Sequence, residues 1–222
     1  MSDSHCFKVV QVMLVKGQTE EFRRHLPEAL MQTFNRHPRM RAKQIKNEFA
    51  VAEIHPHLTL EDIAKHDLLR VKETDAEGMA DTHWHRYAQE QADIPFDRYN
   101  QFPFCLHVWF DKASDQARLF LFSDHYLSDG SSGNTILNDV LTFASSLSLA
   151  PNSVIGSAPQ ELPVHASLYT LTLAAHPRLS SVLRGQTAAE GFESNCPINH
   201  PSIGPKGFQR PTSKQQLDDA LR

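Results

Sequence analysis

No apolar stretch in this chain approaches the roughly 18 residues that a membrane-spanning helix needs. A basic excess, which nucleic acid or an anionic membrane would select, is missing too. Lys and Arg total 22 against 26 Asp and Glu, for a net charge of −4. Cysteine is scarce. The three present (Cys6, Cys105 and Cys196) are far apart and odd in number, which fits reduced thiols rather than a disulfide framework. The opening MSDSHCFKVV lacks the charged-then-apolar order of a signal peptide. There are no internal repeats. These absences set the expectation of a cytoplasmic chain without nucleic acid or a membrane span among its partners. What is present is ordinary: 40% hydrophobic and 22% charged residues allow a sizeable core and exclude wholesale disorder.

The length of 222 residues fits one large domain or one and a half, at about 150 residues per domain. Composition changes near residue 150. The first 150 residues hold five prolines and the last 72 hold eight. Residues 1–150 read as regular structure and 151–222 as a loop-rich connection with a few helices.

Residues 7–15 (FKVVQVMLV) predict a strand buried on both faces. After the turn at Lys16–Gln18, Thr19 is an expected N-cap, with Glu20 and Glu21 suiting the positive helix end. Phe22, Leu26, Ala29, Leu30, Thr33 and Phe34 then recur at helical spacing, up to His37-Pro38. Residues 42–54 predict a strand or hairpin, 68–72 a short strand and 77–91 a helix. Phe104, Leu106, Val108 and Phe110 alternate with Cys105, His107 and Trp109. A polar turn leads to Leu119–Phe122, a run without polar alternation that predicts a central, doubly covered strand. Ile136, Leu137, Val140, Leu141, Ala144 and Leu147 stripe a following helix. Residues 166–184 suggest a helix broken at His176-Pro177, residues 186–211 a connection, and Thr212 or Ser213 the cap of a last helix. Strands mixed with helices give an α/β or α+β class.

His125, Asp129 and Gly130 carry the chemical signal. They follow the most buried strand and precede an amphipathic helix. A histidine there sits on a rigid element yet at its exposed tip, a good position for a general base. Neutral imidazole takes a proton from an alcohol, amine or thiol near pH 7 and so strengthens a nucleophile. Asp129 would orient the histidine or brace the loop against a cation. Gly130 would permit a turn, or a close approach of substrate, that a Cβ blocks. A short His…Asp-Gly match arises often by chance. The strand–motif–helix context is what singles this one out.

The run FLFSDHYLSDGSSG resembles the HHxxxDG or HxxxDG signature of CoA-dependent acyltransferases. That superfamily includes nonribosomal-peptide condensation domains, alcohol acyltransferases and acetyltransferases, and chloramphenicol acetyltransferase. The signature's second histidine falls on His125, its aspartate on Asp129 and its glycine on Gly130. Asp124 replaces the first histidine. Asn35–Arg41 (NRHPRMR) is similar to the condensation-domain stretch RHxxLR. Phe96-Asp97 and Phe102-Pro103-Phe104 resemble the segment before the motif hairpin. The shared order covers about residues 7–149.

The resemblance implies a chloramphenicol acetyltransferase-like lobe, an α+β two-layer sandwich with a mixed sheet covered by helices. It implies His125 as the general base in a tunnel between two lobes. The donor would be an acyl-CoA or a carrier-bound acyl-pantetheine, used as a substrate with no resident cofactor, and the acceptor a small alcohol or amine. In the superfamily the aspartate makes a structural salt bridge, for which the matching cation is Arg41. Two-lobed members are much longer than this chain, so 1–150 is expected to be the N-terminal lobe and 151–222 the connection and partial start of a second. Self-association or pairing with a second lobe would then cover exposed strand edges. The other reading is an inactive lobe that serves as an interaction module.

Other residues read more simply. His55-Pro-His57 and His83-Trp-His85 lack the three or four convergent ligands of a metal site, so no metal is expected. His107 reads as a packed histidine. Gly130-Ser-Ser-Gly133 precedes a helix as a phosphate loop does, but without that loop's lysine. Cys105 has no partner in sequence that would make it a nucleophile.

Overall fold

The computed structural model describes residues 8–46, 52–149 and 160–164. The elements expected over 166–184, 186–211 and from 212 onward lie outside the described residues. The order is β1 (Lys8–Lys16), α1 (Thr19–Arg36), a 3-10 turn (Pro38–Arg41), β2 (Ala42–Gln44), β3 (Ala52–Ile54), α2 (Leu60–Lys65), β4 (Leu69–Glu73), α3 (Asp81–Ala92), β5 (Phe104–Asp111), β6 (Gln116–Asp124) and α4 (Gly130–Leu149).

Four strands form a mixed sheet in the order β1-β6-β5-β4. β6 runs antiparallel to both neighbours, and β4 runs parallel to β5. β2 and β3 make a separate antiparallel pair, with Ala42 opposite Ile54. The fold is α/β, a mixed sheet covered by helices.

Alternation along β5 and β6 assigns the two faces. Phe104, Leu106, Val108 and Phe110 join Leu119 and Leu121 in the main core, against Leu26, Leu30 and Phe34 of α1 and Ile136, Leu137 and Val140 of α4. Full burial of each such side chain contributes on the order of 2 kcal/mol. The opposite face carries Trp109, Phe120 and Phe122, covered by Trp84, Tyr87 and Ala88 of α3. Tyr87 lies 4.6 Å from the Trp109 ring and 5.4 Å from Phe120. β6 is thus the central, doubly covered strand that its unbroken apolar run predicts.

Three local expectations change. β1 is an edge strand of this sheet among the described residues, and its side chains are mostly half-buried rather than buried: Met13 and Val15 pack on the main core, Val10 and Val12 on the opposite face, so both faces are covered only in part. Gln18, in a left-handed conformation with φ 53°, holds the N-cap position of α1, and its own side chain makes no capping bond. Asp115, in the β5–β6 turn, reaches across instead. It accepts the backbone N–H groups of Gln18 and Thr19, each at 3.0 Å, and the Thr19 hydroxyl at 2.6 Å. A capping carboxylate can come from a distant turn when the sheet brings that turn to the helix start, and Lys16 pairs with Gln116 here. Finally, α2 is a helix that the apolar spacing does not announce. Its capping box, Thr59 with Asp62, is complete in both directions.

Candidate active site

β6 ends at Asp124, a tight turn comes next, and α4 begins at Gly130. The Asp124 carbonyl oxygen accepts the N–H groups of Leu127 at 3.0 Å and Ser128 at 3.2 Å. Ser128 is buried and donates its hydroxyl proton to the fully buried Ser123 hydroxyl at 2.5 Å. The turn is therefore anchored in the core at its end as well as its start.

His125 is exposed at the tip of this turn. Its Nδ1 lies 2.9 Å from the Ser128 carbonyl oxygen. A carbonyl oxygen only accepts, so Nδ1 carries the proton. The lone pair is then on Nε2, the nitrogen free of this bond. That tautomer is the one a general base requires.

Asp129 takes a different part from the one expected, and Gly130 keeps only one of its two. Asp129 occupies the N-cap position of α4. One carboxylate oxygen accepts the Ser132 backbone N–H and the Ser132 hydroxyl, and the Asp129 carbonyl oxygen accepts the Gly133 N–H at 3.1 Å. The Ser132 hydroxyl and then its N–H hold the Asp129 carboxyl below the usual aspartate range. Gly130 has no positive φ, so the turn does not demand a glycine. Nothing in the described chain stands within 4 Å of where its Cβ would be. The space above it is open.

The expected Arg41–Asp129 ion pair does not form. Arg41 is 2% exposed and faces inward. Its Nε donates to the Phe34 carbonyl oxygen at 3.1 Å, and its other nitrogens donate to the His55 carbonyl oxygen and to the Glu161 carboxylate. Leu162 N–H donates to the Arg36 carbonyl oxygen at 2.8 Å, so residues 161–162 lie along the end of α1. The physical reason for the difference is local: Asp129 is held by its own helix start, and Arg41 is held by carbonyls of its own neighbourhood. Within Asn35–Arg41, Arg36 and His37 are the residues that pair with the motif helix, their Nε and Nε2 lying 3.0 and 2.7 Å from Asp139.

Asp124 is the buried anion of the motif. Arg98 pairs with it through two parallel bonds, 2.8 and 3.0 Å long. Nothing in the sequence pattern marks Arg98, which lies in the loop between α3 and β5. Ser128 carries no such mark either, although it occupies the signature's variable stretch immediately before Asp129.

Packing accounts for several of the remaining candidates, whereas His57 and His83 are exposed beside Glu161 and Glu77. His107 is 3% exposed and its Nδ1 lies 2.7 Å from the Tyr87 hydroxyl. Burial, then Arg70, lowers its pKa to about 4, so it is neutral at pH 7. Burial pushes the Cys105 thiol up to about 11, which keeps it protonated and unreactive. The His55 ring packs edge-on to Phe102, and His85 stacks on Trp84. Among the described residues no group of three or more His, Cys, Asp and Glu could hold a metal ion, and no helix is long and apolar enough to cross a membrane.

The hollow beside the motif is small, about 10 Å³, between Arg98, Asp124, Tyr126 and Leu127. A larger one of about 320 Å³ lies under α3 beside Lys72, Tyr87 and Trp109, near the other end of β5. The small hollow and the open space over Gly130 are the ones that adjoin the turn carrying His125.

No family model matches the chain, and neither does any curated protein. Solved structures do. SgcC5 from Streptomyces globisporus matches with TM-score 0.55 and 18% identity, over 82% of this chain and 40% of that one. The starter condensation domain of rhizomide synthetase RzmA matches with TM-score 0.51 and 17% identity, over 83% and 41%. The structure of the X-domain with OxyB from teicoplanin biosynthesis matches with TM-score 0.51 and 12% identity, over 85% and 39%. The chain therefore has a condensation-domain-like fold, and it spans about 40% of the length of the solved structures it matches.

Proposed function

We propose that the chain supplies the general base for acyl transfer from an acyl-CoA or acyl-pantetheine thioester to an alcohol or amine. The observation that carries this reading is the His125–Ser128 bond, which leaves an accessible Nε2 lone pair at the strand end of a condensation-domain-like fold. Nε2 takes the acceptor's proton as the acceptor oxygen or nitrogen bonds to the thioester carbon. The tetrahedral intermediate then collapses, the C–S bond breaks, and the thiolate leaves with the proton returned by the imidazolium. The open position over Gly130 gives the substrate room to approach. Because His125 is exposed, a covering partner or second lobe is needed to exclude water and position the acceptor, and the chain alone is a slow enzyme. The test is to offer purified protein acetyl-CoA with a panel of alcohols and amines and to follow free thiol. Acceptor-dependent release supports the reading.

One observation favours a second reading. A chain with this fold and an uncovered motif suits an inactive lobe that binds a partner, and the X-domain was solved together with OxyB. Under that reading no acceptor gives thiol release, and sedimentation shows self-association or a stable complex.

A further inference from the structure

Asp124 stands where the resembled signature has its first histidine. Only 4% of its side chain is exposed. Arg98 meets it with a two-pronged contact: Nε donates to Oδ2 at 2.8 Å and Nη2 to Oδ1 at 3.0 Å. The same Oδ1 accepts the Tyr126 N–H at 2.9 Å, and the Asp124 carbonyl oxygen accepts the N–H groups of Leu127 and Ser128. Asp124 thus organises the whole turn, and the turn sets the Ser128 carbonyl against His125 Nδ1. Arg98 is itself fixed. Its carbonyl oxygen accepts the Gln44 N–H at 2.9 Å, and its guanidinium lies over the Tyr126 ring, 5.0 Å from the centroid.

Charge makes the turn depend on this contact. A carboxylate with so little exposure needs its cation, and a planar guanidinium holds it in one orientation where an ammonium would not. Without that cation the carboxyl must turn away or take water. Turning away releases the Tyr126 N–H, and water competes with it for Oδ1, so the turn loosens. The Ser128 carbonyl then drifts from Nδ1, and the imidazole becomes a mixture of tautomers.

We infer that Arg98 is a positioning residue that acts through Asp124 to hold His125 in its Nδ1–H tautomer. The Arg98–Asp124 pair braces the loop from the position where the signature has its first histidine. The effect on rate rests on the acyltransferase reading; the effect on the tautomer does not. One consequence runs against the resemblance. Asp124→His, which writes HHxxxDG into the chain, sets an imidazole against a guanidinium and weakens the brace.

The test is a long-range proton–nitrogen spectrum of the full chain labelled at histidine nitrogen, with the His125 signals assigned by their loss in His125→Ala. Wild type should show the Nδ1–H pattern at His125. Arg98→Met and Asp124→His, checked for folding by circular dichroism, should shift His125 toward a tautomer mixture and leave the His107 signals in place. Should Arg98→Met fail to fold, Arg98→Lys decides, because it keeps the charge and loses the fork. A folded Arg98→Lys with a mixed His125 supports the proposal. Unchanged Nδ1–H signals in either folded Arg98 variant overturn it. Where thiol release is measurable, kcat should fall on the order of tenfold to a hundredfold in step with the tautomer shift. If wild type releases no thiol, the acyltransferase reading falls, and the spectrum still decides the role of Arg98.

Discussion

Asp129 closes on Ser132: one carboxylate oxygen accepts the serine's backbone N–H and its hydroxyl, each at 2.7 Å. The motif aspartate is therefore a helix cap. Its part is to start α4 at the right residue, directly after the turn that carries His125. Asp129→Ala should lower stability by about 1 kcal/mol, and Asp129→Ser or Asp129→Asn should recover most of it. Urea unfolding measures this. An unchanged midpoint for Asp129→Ala would mean that the cap contributes nothing.

Arg41 and Glu161 are unequal partners. The arginine is 2% exposed, whereas the Glu161 side chain is 43% exposed. Water partly replaces a lost Glu161 carboxylate, so Glu161→Gln should cost about 1 kcal/mol or less. Arg41→Ala empties a buried position and strips the Phe34 and His55 carbonyl oxygens of their donor, and should cost about 3 kcal/mol. Equal losses in the two variants would show that Arg41 matters only through its ion pair.

His107 sets an acid limit on stability. Its folded pKa is lowered from 6.5 to about 4, chiefly by burial. Between those values the unfolded chain binds a proton that the fold refuses. Stability therefore rises with pH across that window, is fully present above it, and is lost on acidification. The Tm should fall between pH 7 and pH 5, and His107→Gln, which can still accept the Tyr87 hydroxyl proton, should flatten that fall. The same slope in the variant would assign the loss to other groups.

Cys105 lies on the sheet face under α3, and its thiol is raised to about 11. Alkylation by iodoacetamide at pH 7.5, read site by site by mass spectrometry, should leave Cys105 unmodified in the native protein and modify it in urea. Rapid native labelling would contradict the burial argument.

Much of the fold is legible because burial writes itself into side-chain order. Leu119–Phe122 has no polar alternation and lies in the strand flanked by β1 and β5. Phe22, Leu26, Leu30 and Phe34 keep helical spacing and pack in the main core. What sequence order does not reveal depends on contacts between distant residues. The same valine-rich pattern serves an edge strand and a central one, so among the described residues β1 lies one neighbour further out than its composition implies. Asp115 caps a helix 96 residues away in sequence, which local spacing does not reveal. At the candidate site, the exposed place of His125 between strand and helix is legible from the sequence. The Arg98–Asp124 pair is not, because its arginine lies in an irregular loop and no periodicity marks it. The expected pairing of Asp129 with Arg41 fails for a similar reason: a helix cap and an ion pair ask for the same residue type.

The central claim is that His125 Nε2 removes the acceptor's proton. The most direct measurement compares thiol release from acetyl-CoA with and without acceptor in wild type and His125→Ala. The account predicts acceptor-dependent release in wild type that falls about a hundredfold or more in the variant. Equal acceptor-dependent release by both proteins would contradict it.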